Sequence, residues 1–485
     1  MHYIGIDIGT SGIKIVVCDS AGTVVDSESH SLNVSSAHPK WSEQSPADWW
    51  HAIDHTMSAL SLRGSLKKVK AIGLAGQMHG AVLIDTSGNV IRPAILWNDG
   101  RSEKQCTDMM NECPEATVIT GNLIMPGFTS PKVRWVKEHE PSNFAKIDKV
   151  LLPKDYIRYL LTGQFVSEMS DAAGTCWLDT KNRDWSDELL ALADLKRKHM
   201  PSLVEGTETS GSLKADLAKK WGVDQIPIVG GAGDNAAGAI GSGVVDTGQA
   251  MISLGTSGVI FAVTDKFIFN PNSALHSFCH AIPNKWHVMS VHLSAASCLQ
   301  WFANISANGD VATLLNELDE SPEDTTSHSC YFTPYLSGER TPHNNPDLTG
   351  RFCNLTHSTT RKDMTYSVLE GVAFAFKDGL KVMQEAGVHL NSISIIGGGA
   401  RSQFWRQLIS DVLGMPITYR QGGEVGPALG AAKLAKINEF PSEDISTLCP
   451  VPNAIEEHSP NPARHKLLMS RYEAFTMFTN QQIKE

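Results

Sequence analysis

No stretch of the 485-residue sequence stays apolar for the roughly 18 residues that a membrane-spanning helix needs, so no membrane partner is expected. The net charge is −11 and no basic stripe is present to neutralise phosphates, which argues against a nucleic-acid partner. Cysteines number nine, odd and irregularly spaced, as in a reducing cytoplasm rather than a disulfide framework. The sequence opens on a strand-like alternation without a basic-then-apolar leader, so export is not expected and a cytoplasmic location is. A Gly-x-x-x-x-Gly-Lys-Ser/Thr motif is missing, which removes a P-loop kinase. His276-Ser-Phe-Cys279-His280 has metal-like spacing, but it lacks a second ligand pair and no zinc site is expected. Low-complexity tracts and long linkers are also missing.

What is present is a repeat. Gly9-Thr10-Ser11-Gly12 returns unchanged as Gly255-Thr256-Ser257-Gly258, about half the chain away. Ile4, Ile6 and Ile8 correspond to Ala250, Ile252 and Leu254, and Ile13, Ile15 and Val17 to Val259, Phe261 and Val263. Period-two alternation predicts a β-hairpin with one buried face in each copy. With 41% hydrophobic and 19% charged residues the composition is that of an ordinary globular protein, and the repeat divides it into two large domains, 1–245 and 246–485. Asp234 stands at the seam.

In the first half, Thr23 to Ser31 can add a third antiparallel strand. Ser45-Pro46 opens a helix with Trp49, Ile53, Met57 and Leu60 on one face. A buried strand from Val69 ends at Gly76-Gln77-Met78-His79-Gly80, and a further strand-like run ends at Trp97-Asn98-Asp99. The second half repeats the plan: a helix around Ser294 to Asn304, a long one from Asp363 to about Ala386, and a strand Ile393 to Ile396. Gly397-Gly398-Gly399-Ala400 follows that strand, with Ser402 placed to cap the next helix. Gly426-Pro427 opens a small-residue helix, and the charged tail after Pro460 reads as another.

A Gly-Thr-Ser-Gly turn between strands offers several backbone N–H groups to phosphate oxygens without any lysine. An ordinary glycine hairpin turn is the alternative for one copy, and two matched copies favour phosphate. Asp7 points away from the Ile4/Ile6/Ile8 face and is replaced by Ser253 in the second copy. A carboxylate beside a phosphate cradle repels the ligand unless a cation intervenes, so Asp7 is a candidate Mg²⁺ contact, direct or through water. Gly231 to Ala236 fits Gly-x-Gly-x-x-Gly/Ala, yet an aspartate inside the loop would face a pyrophosphate and no ribose-binding acid follows at the right distance. Asp234 instead reads as a general base on a turn that glycine leaves open to substrate, with a plain turn aspartate as the alternative. Gly397 to Ala400 reads as a nucleotide platform because absent side chains let a ring lie on the backbone.

The paired hairpins, seam aspartate and glycine platform together resemble the actin-like ATPase fold and, more narrowly, the FGGY carbohydrate kinases, over essentially the whole chain. Gly127 to His139 looks like one pattern of that family and Gly350 through Glu370 like another, with Asn354 where the family usually has glycine. Asparagine tolerates positive φ, so local strain is expected there rather than a lost site. Trp41-Ser-Glu-Gln44, Gln77 to Gly80, Trp97 to Arg101, Gly233-Asp234-Asn235 and Gly338 to His343 look most like members acting on a ketopentose. The resemblance implies an α/β protein of two duplicated actin-like (ribonuclease H-like) ATPase domains with a catalytic cleft between them. It implies ATP-dependent conversion of D-xylulose to D-xylulose 5-phosphate. Met78, His79, Asp234 and Asn235 would contact the sugar, with Trp97 and Asp99 beside them and Asp234 as base. Gly9, Thr10, Ser11, Gly255, Thr256, Ser257 and Gly397 to Ala400 would hold ATP and its phosphates, and Asp7 would meet Mg²⁺. A kinase for another ketopentose or polyol of the same family is the near alternative, and an actin-like ATPase without sugar kinase activity and a nicotinamide-dependent dehydrogenase are the readings from other classes. The expected partners are the sugar and ATP, with a homodimer as the candidate assembly.

Overall fold

The computed structural model describes residues 1–319, 329–421 and 426–485. Strands β1 (His2–Ile8), β2 (Gly12–Asp19) and β3 (Val24–Ser31) form an antiparallel meander. β4 (Val69–Gly76) adds parallel to β1, β6 (Pro227–Val229) adds parallel to β4, and β5 (Thr209–Ser212) closes that edge antiparallel. The short β7 (Ala232–Gly233) also pairs with the end of β4.

The second half draws the same diagram. β8 (Gln249–Leu254), β9 (Gly258–Thr264) and β11 (Trp286–His292) are the meander, with β10 (His276–Cys279) as an extra edge strand. β12 (Ser392–Ile396) and β13 (Ile417–Arg420) add in parallel and β14 (Ala454–His458) closes antiparallel. Each half is thus a seven-stranded mixed sheet built in one order, and the chain is a duplicated two-lobed α/β protein.

Helices cover the sheets where the apolar stripes require it. In α1 (Pro46–Leu62) Trp49, Ile53, Met57 and Leu60 are all buried, and leaving water contributes roughly 1.5–3 kcal/mol for each of the aliphatic three. Proline starts this helix as expected, but Ser45 makes no side-chain cap bond. The long α5 (Arg361–Glu385) begins one turn's edge earlier than its apolar spacing suggests, because Thr360 and Asp363 cap each other's backbone. Asn354 has φ 59, the left-handed conformation its type allows.

Two expectations about the hairpins need correction. The first is burial. β1 and β2 are covered on both faces, because Tyr3, Val16 and Cys18 pack under α7 (Gly426–Glu439), a helix from the far end of the chain. Gly5 and Gly73 make this possible: a Cβ there would come within 1.7 Å of the Ala428 carbonyl oxygen and 1.9 Å of that of Ala431. A strand buried on both faces loses the strict alternation that marks a half-exposed one.

The second correction is register. In the first copy Ile8 faces Ile13, so four residues, Gly9 to Gly12, lie between the paired positions. In the second Leu254 faces Gly258, so only three residues, Gly255 to Ser257, lie between. Identical residues therefore make turns of different length, and a one-residue slip turns every following side chain over. Ile13, Ile15 and Val17 share the core of Ile4, Ile6 and Ile8. Phe261 and Val263 instead lie opposite the core that holds Ile252 and Ile260, and Val259 follows them to that other side.

Candidate active site

The carboxyl ends of β1 and β4 lie side by side, with Ile8 level with Gly76, and β7 brings Gly233 level with the same glycine. Such ends of parallel strands are where α/β sheets place ligands. A cavity of about 250 Å³ opens there, lined by Met78, His79, Trp97, Asp234 and Asn235 of the first half and by Ser257, Val259, His276 and Arg340 of the second. Five of the six residues expected at a sugar thus stand round one space.

His79 is held rigidly. Its φ is 69, and its carbonyl accepts from Lys132 Nζ at 2.9 Å and from Thr129 Oγ1 at 3.1 Å. Lys132 is wholly buried, its second acceptor is the Gly127 carbonyl, and burial pushes it down to about 7. The His79 ring donates from Nδ1 to the Gly174 carbonyl at 2.6 Å, and burial drives its pKa down to about 3. The neutral ring therefore turns an acceptor, Nε2, toward the cavity.

Asp234 opens α4 (Asp234–Gly241), with Gly233 as the residue before it. Both of its bonds, from Asn235 N at 2.7 Å and Asn235 Nδ2 at 3.0 Å, fall on Oδ1, which leaves Oδ2 to the cavity. Burial raises its pKa to about 6 against the pull of those two bonds. Asp7 is raised to about 7, first by burial and then by the charge of Asp234, with Lys14 opposing. Asp7 Oδ1 is buried without a hydrogen-bond partner. An orphaned carboxylate oxygen near a second carboxylate suits a hard cation, and with no set of three candidate ligands among the described residues the remaining ligands would be water and phosphate oxygens.

Thr10 joins the first turn to the cavity. Its hydroxyl donates to Gln77 Oε1 at 2.9 Å and accepts from Trp97 Nε1 at 3.0 Å. Gln44 holds the Thr10 carbonyl at 2.7 Å and is itself held by Trp49 and Gln77. Gln44 and Gln77 are thus site residues that composition and spacing did not reveal; a buried glutamine shows its role only when its partners are known. Arg340, His276, Phe128 and Phe278 were missed for a related reason, since they reach the cavity from segments far apart in sequence.

Asp99 is a correction. It is 2% exposed, and its oxygens are taken by the backbone of Ser42 at 2.6 Å and by a bidentate bond to Arg101 at 2.8 and 2.6 Å. Its work is to fix the loop that carries Trp97, and it does not line the cavity.

In the second lobe, the Gly255 turn and the Gly397 turn end the neighbouring parallel strands β8 and β12. The Gly255 and Thr256 carbonyls accept from Ala296 N at 2.8 Å and Ala295 N at 2.9 Å, which fixes that turn. Gly397 has φ 100, and a Cβ on it would meet the Leu254 backbone at 2.6 Å. Gly398 borders open space, whereas Ala400 is fully buried in the core, so the open part of the platform is shorter than the motif. Ser257, expected at ATP, also lines the sugar-side cavity. His276 faces that cavity while His280 packs on Phe261, which separates the two histidines of the metal-like spacing.

A duplicated fold of this kind, with a cavity lined by both lobes in which a few polar groups stand among apolar walls, defines a two-lobed α/β kinase of small molecules. The chain belongs to the FGGY family of carbohydrate kinases, whose N-terminal domain matches residues 2–241 and whose C-terminal domain matches residues 250–439. It is an ATP-dependent carbohydrate kinase. It is 51% identical to the xylulose kinase of Escherichia coli (strain K12) over 479 residues, covering 99% of each chain. It is 52% identical to that of Klebsiella pneumoniae, over 90% of this chain and 89% of the relative. The crystal structure of a xyloylose kinase from Brucella ovis superposes with a TM-score of 0.95 at 44% identity, over 99% of this chain and 98% of that one. Among the described residues no helix is long and apolar enough to cross a membrane.

Proposed function

We propose that this kinase transfers the γ-phosphoryl group of ATP to the terminal hydroxyl of D-xylulose. The observation that carries this reading is full-length identity of 51% to a xylulose kinase, joined to a cavity that holds Met78, His79, Asp234 and Asn235 together. Asp234 is the base, and Oδ2 receives the hydroxyl proton as the phosphoryl group leaves ADP. Phosphoryl transfer asks mainly for in-line positioning and charge stabilisation, so a carboxylate raised to about 6 is basic enough to take a proton late in the step. In the turns at Gly9–Ser11 and Gly255–Ser257 the Gly9 and Gly255 amides close the turn on the Gly12 and Ser257 carbonyls, which leaves the N–H groups of Thr10, Ser11, Thr256 and Ser257 for the phosphates, and Gly397–Gly399 gives a surface for the nucleotide. Asp7 would hold Mg²⁺, which supplies neutralisation of phosphate charge when bound. The division of labour between residues 1–245, with sugar, base and metal, and 246–485, with ATP, belongs to the same proposal.

A coupled assay of ADP release over pentoses, pentitols and glycerol tests the substrate. D-Xylulose should give the highest kcat/KM, and a higher value for another acceptor would reassign it. His79→Ala should raise the sugar KM by roughly tenfold or more while the ATP KM stays nearly constant, since an acceptor facing a hydroxyl is lost. An unchanged sugar KM would leave His79 as a packed turn residue only.

A further inference from the structure

We propose that Arg340 reads the ketone of the sugar: from the second-lobe wall of the cavity it donates hydrogen bonds to the carbonyl oxygen of an open-chain ketopentose whose far hydroxyl lies at Asp234. The inference rests on the D-xylulose reading above. Among the described residues the Arg340 side chain forms no ion pair, and its one side-chain hydrogen bond runs from Nη1 to His276 Nε2 at 3.4 Å. The neighbouring Glu339 attracts the guanidinium but makes no ion pair with it. Glu339 Oε1 accepts from the backbone of Leu293 at 3.0 Å and of Arg340 itself at 2.7 Å, and so fixes the main chain.

The partner of Arg340 is fixed as an acceptor. Asn122 donates from Nδ2 to the carbonyls of Thr120 at 3.0 Å and Ser277 at 2.7 Å, so its Oδ1 is the acceptor for the Ser277 amide and for His276 Nδ1, both at 3.1 Å. His276 therefore carries its proton on Nδ1 and presents a bare Nε2 to the guanidinium. That bond takes one N–H of five, and among the described residues the others have no protein acceptor while the side chain lines the cavity.

The remaining polar groups of the cavity do different work. Asp234 Oδ2 and His79 Nε2 are acceptors, Trp97 Nε1 already donates to Thr10, and the Asn235 amide, which gives one N–H to Asp234, and the Ser257 hydroxyl can each both donate and accept. Arg340 is thus the donor-only group with spare capacity. A sugar hydroxyl both donates and accepts, whereas a ketone oxygen only accepts, so the guanidinium fits the ketone. The chemistry of the substrate requires a free ketone as well. In the ring form of a ketopentose the terminal oxygen is the ring oxygen and carries no proton to remove. Only the open-chain form can be phosphorylated at that position, and that form has an exposed carbonyl.

The test is Arg340→Met, which keeps length and removes the donors. Dissociation constants would be measured by tryptophan fluorescence for D-xylulose and for xylitol and D-arabinitol, the two alcohols obtained by reducing its ketone. Steady-state ADP release with D-xylulose would run alongside. Affinity and kcat/KM for D-xylulose should fall roughly 10- to 100-fold, the worth of hydrogen bonds from a charged donor, while affinity for the alcohols changes less than about threefold. The KM for ATP should not move. Arg340→Lys, which retains charge and fewer donors, should fall between and guards against a misfolded methionine variant. An equal loss for ketone and alcohols, or no loss, overturns the inference; the latter would leave the guanidinium to the adjoining cavity of about 620 Å³ that it also lines. Wild-type enzyme that fails to phosphorylate D-xylulose would overturn the substrate reading instead, whatever Arg340 does.

Discussion

Asp234→Asn should lower turnover roughly a hundred- to ten-thousand-fold, the usual worth of a general base, while sugar binding persists. Asparagine keeps the shape of the side chain and an oxygen for the Asn235 bonds, but it cannot take the proton. The wild-type pH profile should carry the same signature. With Asp234 raised to about 6, the free enzyme loses its base as pH falls through that value, so kcat/KM should decline below about pH 6 and the Asp234→Asn residual activity should not follow that limb. Near-normal turnover in the variant would remove Asp234 from the chemistry. An unfolded variant would instead support the plainer reading, in which the aspartate ties the turn at the start of α4.

Asp7→Asn should abolish most activity and yet make the free protein more stable at neutral pH. Asp7 is buried, lacks a partner for Oδ1 and is raised to about 7, so below about pH 4 it is protonated folded and unfolded alike. As pH climbs from about 4 to 7 the unfolded chain releases this proton and the folded chain retains it, so stability falls across that window. Asparagine removes the effect: melting temperature should rise at pH 8 and stay level at pH 4. Mg²⁺ with nucleotide should stabilise wild type more than Asp7→Asn. Ser253→Ala, at the matching position of the second hairpin, should do little to the Mg²⁺ requirement. Equal effects of the two substitutions on that requirement would mean that the cation does not depend on the first lobe.

Much of the architecture was legible in the residues because it is local. Period-two runs, proline at a helix start and glycine after a strand act over a few positions, and the duplication repeats them. Asp234, His79 and Met78 were legible too, since each sits on a turn next to a strand end. The failures came where a distant partner decides. Ala400 looked like surface beside three glycines, yet its methyl is buried in the core. Asp99 looked like a sugar ligand, but Arg101 and Ser42 claim both oxygens.

The sequence by itself determined that two homologous lobes would exist, which strand ends would carry the turns, and that only the first turn would be accompanied by a carboxylate. Tertiary structure decided the rest. Identical Gly-Thr-Ser-Gly motifs adopt different registers because strand pairing is chosen by the sheet and core they join, and that slip moves Val259 to the cavity. Helix α7 buries the second face of the first hairpin because Gly5 and Gly73 admit a backbone from the far end of the chain. The raised pKa values of Asp7 and Asp234 are likewise properties of burial, joined for Asp7 by the charge of Asp234, and Arg340 meets Asp234 only because folding brings both to the lining of one cavity. Local propensity acts through neighbours in sequence, whereas desolvation, register and hydrogen-bond satisfaction are settled by neighbours in space.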